Sequence, residues 1–165
     1  MCSVLTDKEL SQQTKDYFAQ IRKTDRLIQR LTSTVATLRS SLTSQSYELK
    51  PDKVQSSGKK NPLEDAIIKI DTLERKINTR IDELVSLKTE AFDRIRTIPD
   101  LDQQNILIGR YIQLKEWDDI AVELNFSTKW VLELHGKAVL AFAKRNPQIL
   151  KEPTKTDLNG LQTDI

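Results

Sequence analysis

The chain has 165 residues, of which 38% are hydrophobic and 30% are charged, a balance more typical of a soluble helical protein than of a β-sandwich. Its net charge of +2 excludes the strong overall basic field of many nucleic-acid-binding proteins, but it leaves room for a local basic patch. The single cysteine, Cys2, excludes an internal disulfide.

Neither a signal peptide nor a membrane-spanning helix is predicted from the sequence. The N-terminus lacks the basic and apolar segments of a signal peptide, and no apolar run reaches the roughly 20 residues that a membrane span needs. We therefore expect a cytoplasmic protein without a membrane partner.

The first predicted element is a long helix over about residues 7–47. Between Leu10 and Leu42 no Gly or Pro interrupts the chain, and Asp7 is placed to cap the first turn. Steps of four and three residues separate the apolar positions, which is the seam of a coiled-coil repeat. The seam consists of Tyr17, Ile21, Ile28, Leu31, Val35, Leu38 and Leu42, with Thr24 filling the place between Ile21 and Ile28 and with Phe18 and Leu27 widening the stripe.

A loop over 48–62 and a second long helix over 63–98 follow. The loop contains two prolines, a glycine and several lysines, and the helix repeats the same heptad spacing. Two amphipathic helices joined by such a loop are expected to fold back as an antiparallel hairpin over residues 1–98. Because heptads also pair between chains, a homodimer through this hairpin is the competing arrangement.

Residues 99–145 predict a three-helix domain. Asp102 is placed to cap its first helix, which carries Ile106, Leu107, Tyr111 and Leu114. The next two helices flank Asn125, which tolerates the left-handed backbone of a tight turn, and Ser127, which can cap the last helix. Together these features predict a helix-turn-helix. Residues 146–165 contain two prolines and a glycine with little periodicity, and are expected to form a disordered tail.

The segment "LIGRYIQLKEWDDIAVELNFSTKWVLELHGKAVLAF" resembles region 4 of sigma-70-type transcription factors over about residues 105–143. With the two long helices before it, the chain resembles, over roughly 15–145, small phage and prophage transcriptional regulators of Gram-positive bacteria, of the ArpU/RinA type. The resemblance implies a DNA-binding regulator of phage-type transcription, acting in the cytoplasm of a bacterial host on double-stranded DNA and in contact with RNA polymerase.

In sigma-like domains the exposed face of the second helix of the motif reads bases. Carried over to this chain, the resemblance gives Thr128, Lys129, Leu132 and Glu133 as base-reading candidates. The candidates for phosphate contacts are Lys115, Ser127, Lys137, Lys144 and Arg145.

Charge in this segment favours an alternative function. Between Lys115 and Arg145 the basic residues are matched in number by acidic ones, so the segment lacks the charge that normally dominates affinity for DNA. The alternative is a protein-interaction adaptor for polymerase or a phage component, which keeps the helix-turn-helix shape without reading DNA.

Enzymatic function is not expected, and neither is a cofactor or a metal. His135 is the only histidine, which gives neither a metal site nor a catalytic triad. The sequence also lacks a Gly-rich phosphate loop placed after a strand.

Overall fold

The computed structural model describes residues 6–46 and 62–150, and this part of the chain consists of helices joined by short non-helical segments. These residues contain no strand, which confirms the predicted all-α class. The helices are α1 (Asp7–Ser46), α2 (Pro62–Ile95), α3 (Leu101–Leu107), α4 (Trp117–Leu124), α5 (Thr128–Arg145) and α6 (Pro147–Leu150), and a π-helical segment, Ile108–Ile112, continues α3. None of the helices in the described ranges is long and apolar enough to cross a membrane.

Two helices are capped by a residue one or two positions before the predicted cap. Helix α1 is capped by Thr6 rather than by Asp7: the Thr6 N–H donates to Glu9 Oε2 at 2.8 Å, and the Thr6 hydroxyl accepts from the Glu9 N–H at 3.4 Å. This reciprocal pair is a capping box. Helix α3 is capped by Asp100 rather than by Asp102, since Asp100 Oδ1 accepts from the backbone N–H of Asp102 at 3.0 Å.

The ends of the predicted segments also shift. Helix α2 ends at Ile95, three residues before the prediction, and Pro62 of the predicted loop is its first residue, where its missing N–H costs nothing. The rest of the predicted loop lies outside the described residues. The predicted disorder is wrong for residues 146–150, because Asn146 is buried and Pro147–Leu150 forms α6. The tail beyond residue 150 lies outside the described part of the chain.

Contacts group the described residues into two compact units. Unit 1 consists of residues 6–20 and 89–150, and unit 2 consists of residues 21–46 and 62–88. Helices α1 and α2 therefore each contribute to both units, whereas the sequence had suggested a boundary at residue 98.

Unit 1 has an aromatic centre that joins the first turns of α1 to the later helices. Phe18 is fully buried, stacks on Tyr111 with ring centroids 4.2 Å apart, and lies 4.7 Å from the ring of Phe142. Tyr17 lies 5.8 Å from Phe142. The first turns of α1 are thus part of the core beneath α5.

The π-helical segment packs tightly against α4 in unit 1. A Cβ atom on Gly109 would lie only 3.1 Å from Cγ1 of Ile120, which is itself buried. Only glycine therefore fits this close approach without a shift of Ile120. The segment is followed by Leu114, whose φ of 59° turns the chain toward α4.

Among the described residues, unit 2 has fewer buried apolar side chains than unit 1. Ile21, Val35 and Ile70 are its buried apolar residues among those described, and an ion pair joins Arg39 of α1 to Glu74 of α2. Several large apolar side chains of α2 remain exposed in this unit.

Candidate nucleic-acid interface

The turn between α4 and α5 has the backbone that the sequence predicted. Asn125 adopts the left-handed conformation, with φ 54° and ψ 40°. The N–H of Phe126 donates to the carbonyl of Ala121 at 2.9 Å, and the N–H of Asn125 donates to that of Val122 at 3.2 Å. These two bonds form a Schellman motif, which satisfies the last carbonyls of α4 and ends that helix sharply.

Ser127 fixes the start of α5, as predicted. Its side-chain oxygen accepts a hydrogen bond from the backbone N–H of Trp130 at 3.2 Å, and its backbone is extended. It is thus an N-cap that satisfies one of the free donors of the first turn. Only Asn125, Phe126 and Ser127 separate the two helices, so their relative direction is set by three residues.

A small apolar core lies beneath the turn. It consists of the buried residues Ile106, Ile120, Ala121, Val131 and Leu134, with Trp117, Leu124 and Phe126 packed against them. Of the apolar residues that the sequence placed on the helix before α4, Ile106 lies in this core. Tyr111 belongs to the aromatic centre with Phe18.

Three of the four base-reading candidates lie on the exposed face of α5. Lys129 and Glu133 are exposed, and Leu132 is 47% exposed. Thr128 is half-buried, and its hydroxyl donates to Asp118 Oδ1 at 2.8 Å. This bond ties the start of α5 to α4, so the Thr128 hydroxyl is already engaged.

Of the five candidates for phosphate contacts, three are already engaged by other groups of the chain, and two make no described ion pair. Lys115 Nζ lies 2.6 Å from Glu123 Oε2, and Lys137 Nζ lies 5.5 Å from the centre of the Trp130 ring, so both cations have intramolecular partners. Ser127 is used as the cap. The remaining two candidates, Lys144 and Arg145, are exposed in the last turn of α5 and make no ion pair with the residues that the structure describes.

Sequence reasoning missed the role of His135. It is buried on the inner face of α5, its Nε2 lies 2.9 Å from the Tyr111 hydroxyl, and its ring meets that of Trp117 edge-on at 4.8 Å. Burial, assisted by the positive charges of Lys15 and Arg110, lowers the pKa of His135 to about 4. The imidazole is therefore neutral at neutral pH and serves as a packed hydrogen-bonding group.

Arg110 and Trp117 form a second contact that the sequence did not predict. The guanidinium lies 4.4 Å from the centre of the Trp117 ring, and its Nη1 donates to the carbonyl of Lys115 at 2.8 Å and to Glu116 Oε2 at 3.2 Å. This cation–π contact and these hydrogen bonds hold the chain between α3 and α4. Trp117 is half-buried beneath this cation.

Among the described residues, no group of three or more His, Cys, Asp or Glu side chains is placed to hold a metal ion. Comparison of the chain with known proteins found no matching family model, no similar curated protein and no similar solved structure.

Proposed function

We propose that the protein is a DNA-binding regulator of phage-type transcription, in which α4, its turn and α5 act as a helix-turn-helix. The observation that carries this proposal is the turn of Asn125, Phe126 and Ser127, fixed by a Schellman motif and an N-cap. Such a turn presents the solvent face of the second helix as one rigid surface, which is what insertion into the major groove requires.

The chemistry of that face supports a sequence-reading role. The Lys129 ammonium is a donor suited to guanine O6 and N7, and the Glu133 carboxylate is an acceptor suited to the cytosine amine. Leu132 offers an apolar contact for a thymine methyl group. Lys144 and Arg145, which form no described ion pair, are suited to phosphates. RNA polymerase is the further partner that we propose for this domain on DNA.

A selection from a pool of random-sequence duplexes at low salt tests the proposal with the whole chain. We expect enrichment of a defined sequence, and we expect Lys129→Ala or Glu133→Ala to change the preferred base at one position. Each lost base contact is expected to reduce discrimination by about 1–3 kcal/mol.

Lys144→Ala is the matched control for that selection. As a phosphate contact it carries no sequence information, so its loss weakens binding to all duplexes to a similar extent. If the intact chain binds no duplex at low salt, the proposal is wrong.

A protein-interaction adaptor is the second candidate, and a specific observation favours it. Trp130 and Leu132 are 41% and 47% exposed on α5, and Val122 of α4 is exposed as well. Apolar side chains on a helix surface are better suited to a protein partner than to phosphates. Capture of polymerase from a host lysate that survives nuclease and is lost in Trp130→Ser would support the adaptor.

A further inference from the structure

Gly136 is an exposed glycine in the interior of α5, at a position where packing within the described chain does not require it. A Cβ atom on Gly136 would meet no atom of the described residues within 4 Å. Glycine destabilises the interior of a helix relative to alanine, so its presence here lowers stability without relieving a contact inside the chain. What an absent side chain does permit is the close approach of a partner to the helix backbone.

Two leucines border Gly136 on the same face of α5. Leu132 precedes it by four residues and Leu140 follows it by four, and residues at this spacing are neighbours on the surface of a helix. Leu132 is 47% exposed, and Leu140 is half-buried. Because no side chain stands between them, the two leucines border a depression whose floor is the helix backbone. We call these three residues the Gly136 notch.

The charge of α5 favours a negatively charged partner at the notch. Helix α5 carries four basic residues and one acidic residue, whereas residues 116–124, which contain α4, carry four acidic residues and no basic one. The near balance of charge in the longer segment thus separates into an acidic α4 and a basic α5. Lys129 and Lys144 are exposed about two turns before and after Gly136. Such a surface is complementary to the phosphates that border a groove of DNA.

The apolar border of the notch favours one chemical group of the duplex. In the major groove the apolar group that a base edge presents is the C5-methyl of thymine. A phosphate or a polar base edge gains nothing from two leucine side chains, whereas a methyl group placed between them is removed from water. This methyl group is also the size of the Cβ group that Gly136 lacks.

We infer that the Gly136 notch receives the methyl group of one thymine when α5 lies in the major groove. The inference rests on the proposed DNA-binding function, and it adds the base that is recognised and the place on α5 that recognises it. Gly136 and Leu140 thereby join Leu132 in contacting this base. Lys129, seven residues nearer the start of the helix, reads a different base farther along the groove.

Replacement of thymine by uracil in the selected duplex tests the inference, because uracil differs from thymine only in lacking this methyl group. Fluorescence anisotropy with the intact chain should show one thymine whose replacement lowers the affinity by about fourfold, the factor expected for burial of one methyl group. Replacement of each other thymine should have a smaller effect.

Gly136→Ala should reverse the preference at that one position. Its added methyl group fills the notch, so the variant should bind the thymine duplex about tenfold more weakly than wild type does. It should bind the uracil duplex more tightly than the thymine duplex. Urea unfolding should show that the variant is at least as stable as wild type, so that loss of structure does not explain the weaker binding.

Gly136→Gln and Ala19→Gln form the matched pair of controls. The glutamine at residue 136 fills the notch completely, so it should weaken binding and remove the difference between the two duplexes. Ala19 is exposed on α1, and Ala19→Gln adds the same side chain outside α5. It should leave both affinities unchanged, and circular dichroism of each variant verifies that the helices remain.

The possible results separate this inference from the proposed function. If the intact chain binds no duplex at low salt, the proposed function is wrong and the inference is wrong with it. If the chain selects a defined sequence, three results would overturn the inference alone. They are a selected site without thymine, uracil replacements that all leave the affinity unchanged, and a Gly136→Gln variant that binds as tightly as wild type. The notch would then face a protein or solvent.

Discussion

His135 is a titratable residue whose folded environment differs strongly from water. Its ring is buried against Trp117 and lies 2.9 Å from the Tyr111 hydroxyl, and Lys15 of α1 and Arg110 add positive charge nearby. Burial first, and then the two positive charges, disfavour the protonated imidazole, so folding keeps this side chain neutral well below its usual pKa of about 6.5.

This environment predicts acid-sensitive stability. Between pH 6.5 and the folded pKa of about 4, the unfolded chain binds a proton at His135 that the folded chain does not bind. The free energy of unfolding should therefore have its full value above pH 6.5 and fall as the pH drops below 6.5. The fall should be about 2 kcal/mol at pH 5 and about 3 kcal/mol at most.

Urea unfolding at pH 7 and pH 5 checks this prediction. In His135→Gln the side chain can still hydrogen-bond to Tyr111 but does not titrate, so the variant should lose much less stability than wild type between the two pH values. Since the chain has no other histidine, an equal loss in both proteins would contradict the assignment.

At the scale of elements, two glycines have opposite surroundings. Gly109 in the π-helical segment lies against Ile120 of α4, whereas a Cβ on Gly136 in α5 would meet no atom within 4 Å. Gly109→Ala should therefore overpack a buried contact and lower the free energy of unfolding by about 1–2 kcal/mol. Gly136→Ala should raise it by about 0.5–1 kcal/mol, because alanine favours an exposed helix interior over glycine.

The midpoint of urea unfolding measures both glycine effects, and each variant serves as the control for the other. Shifts in the same direction for both would mean that the packing of the π-helical segment against α4 is not what holds Gly109 in place.

Also at the scale of elements, the turn between α4 and α5 was predicted correctly from the sequence. Asn125 and Ser127 were identified from intrinsic preferences, for the left-handed backbone and for capping, and such local effects act within a few residues. The π-helical segment was not predicted, because the sequence of Ile108–Ile112 is compatible with an ordinary helix and the close approach of Gly109 to Ile120 depends on tertiary packing. The ion pair of Lys115 with Glu123 and the bond of Thr128 to Asp118 were missed for the same reason.

At the scale of the whole molecule, charge is divided unequally between the two units. The span 21–88, which contains unit 2, has 14 Lys and Arg against nine Asp and Glu, whereas the rest of the chain has 12 against 15. The rest of the chain, which includes α5, therefore has an acidic balance that opposes attraction to DNA phosphates, whereas residues 21–88 have a basic balance that favours it.

Arg26 and Arg30 are the arginines to test for this attraction. Both are exposed on α1 and make no ion pair with described residues, whereas Arg39 and Arg75 pair with carboxylates. If both contact phosphates, Arg26→Gln with Arg30→Gln should reduce the slope of log affinity against log salt by about 1.8, or roughly 0.9 for each contact.

Arg75→Gln is the control for the salt experiment, because its cation is already paired with Asp71. Fluorescence anisotropy on one selected duplex over a series of salt concentrations gives the slopes. If Arg75→Gln changes the slope as much as Arg26→Gln or Arg30→Gln does, then an ion pair within the chain does not decide whether an arginine contacts a phosphate.

The overall helical class and the extent of the long helices were predictable from the sequence. Helices α1 and α2 are long runs without internal Gly or Pro, so their heptad spacing fixed their positions within a few residues. What periodicity could not reveal is which helices share a unit. Phe18 was expected beside the coiled-coil seam, but it packs on Tyr111 and Phe142. Contacts between residues far apart in sequence leave no repeating signal.

The aromatic contact of Phe18 with Phe142 has a consequence for the order of events during synthesis. The two residues lie near opposite ends of the described chain, and the whole of unit 2 is inserted between them. The ribosome delivers Phe18 early, but the ring cannot reach Phe142 until α5 has emerged. Unit 2 can therefore form while unit 1 is incomplete, and a chain cut short before α5 would leave Phe18 without its contact to Phe142. Closing this long-range contact should be a late and slow step of folding.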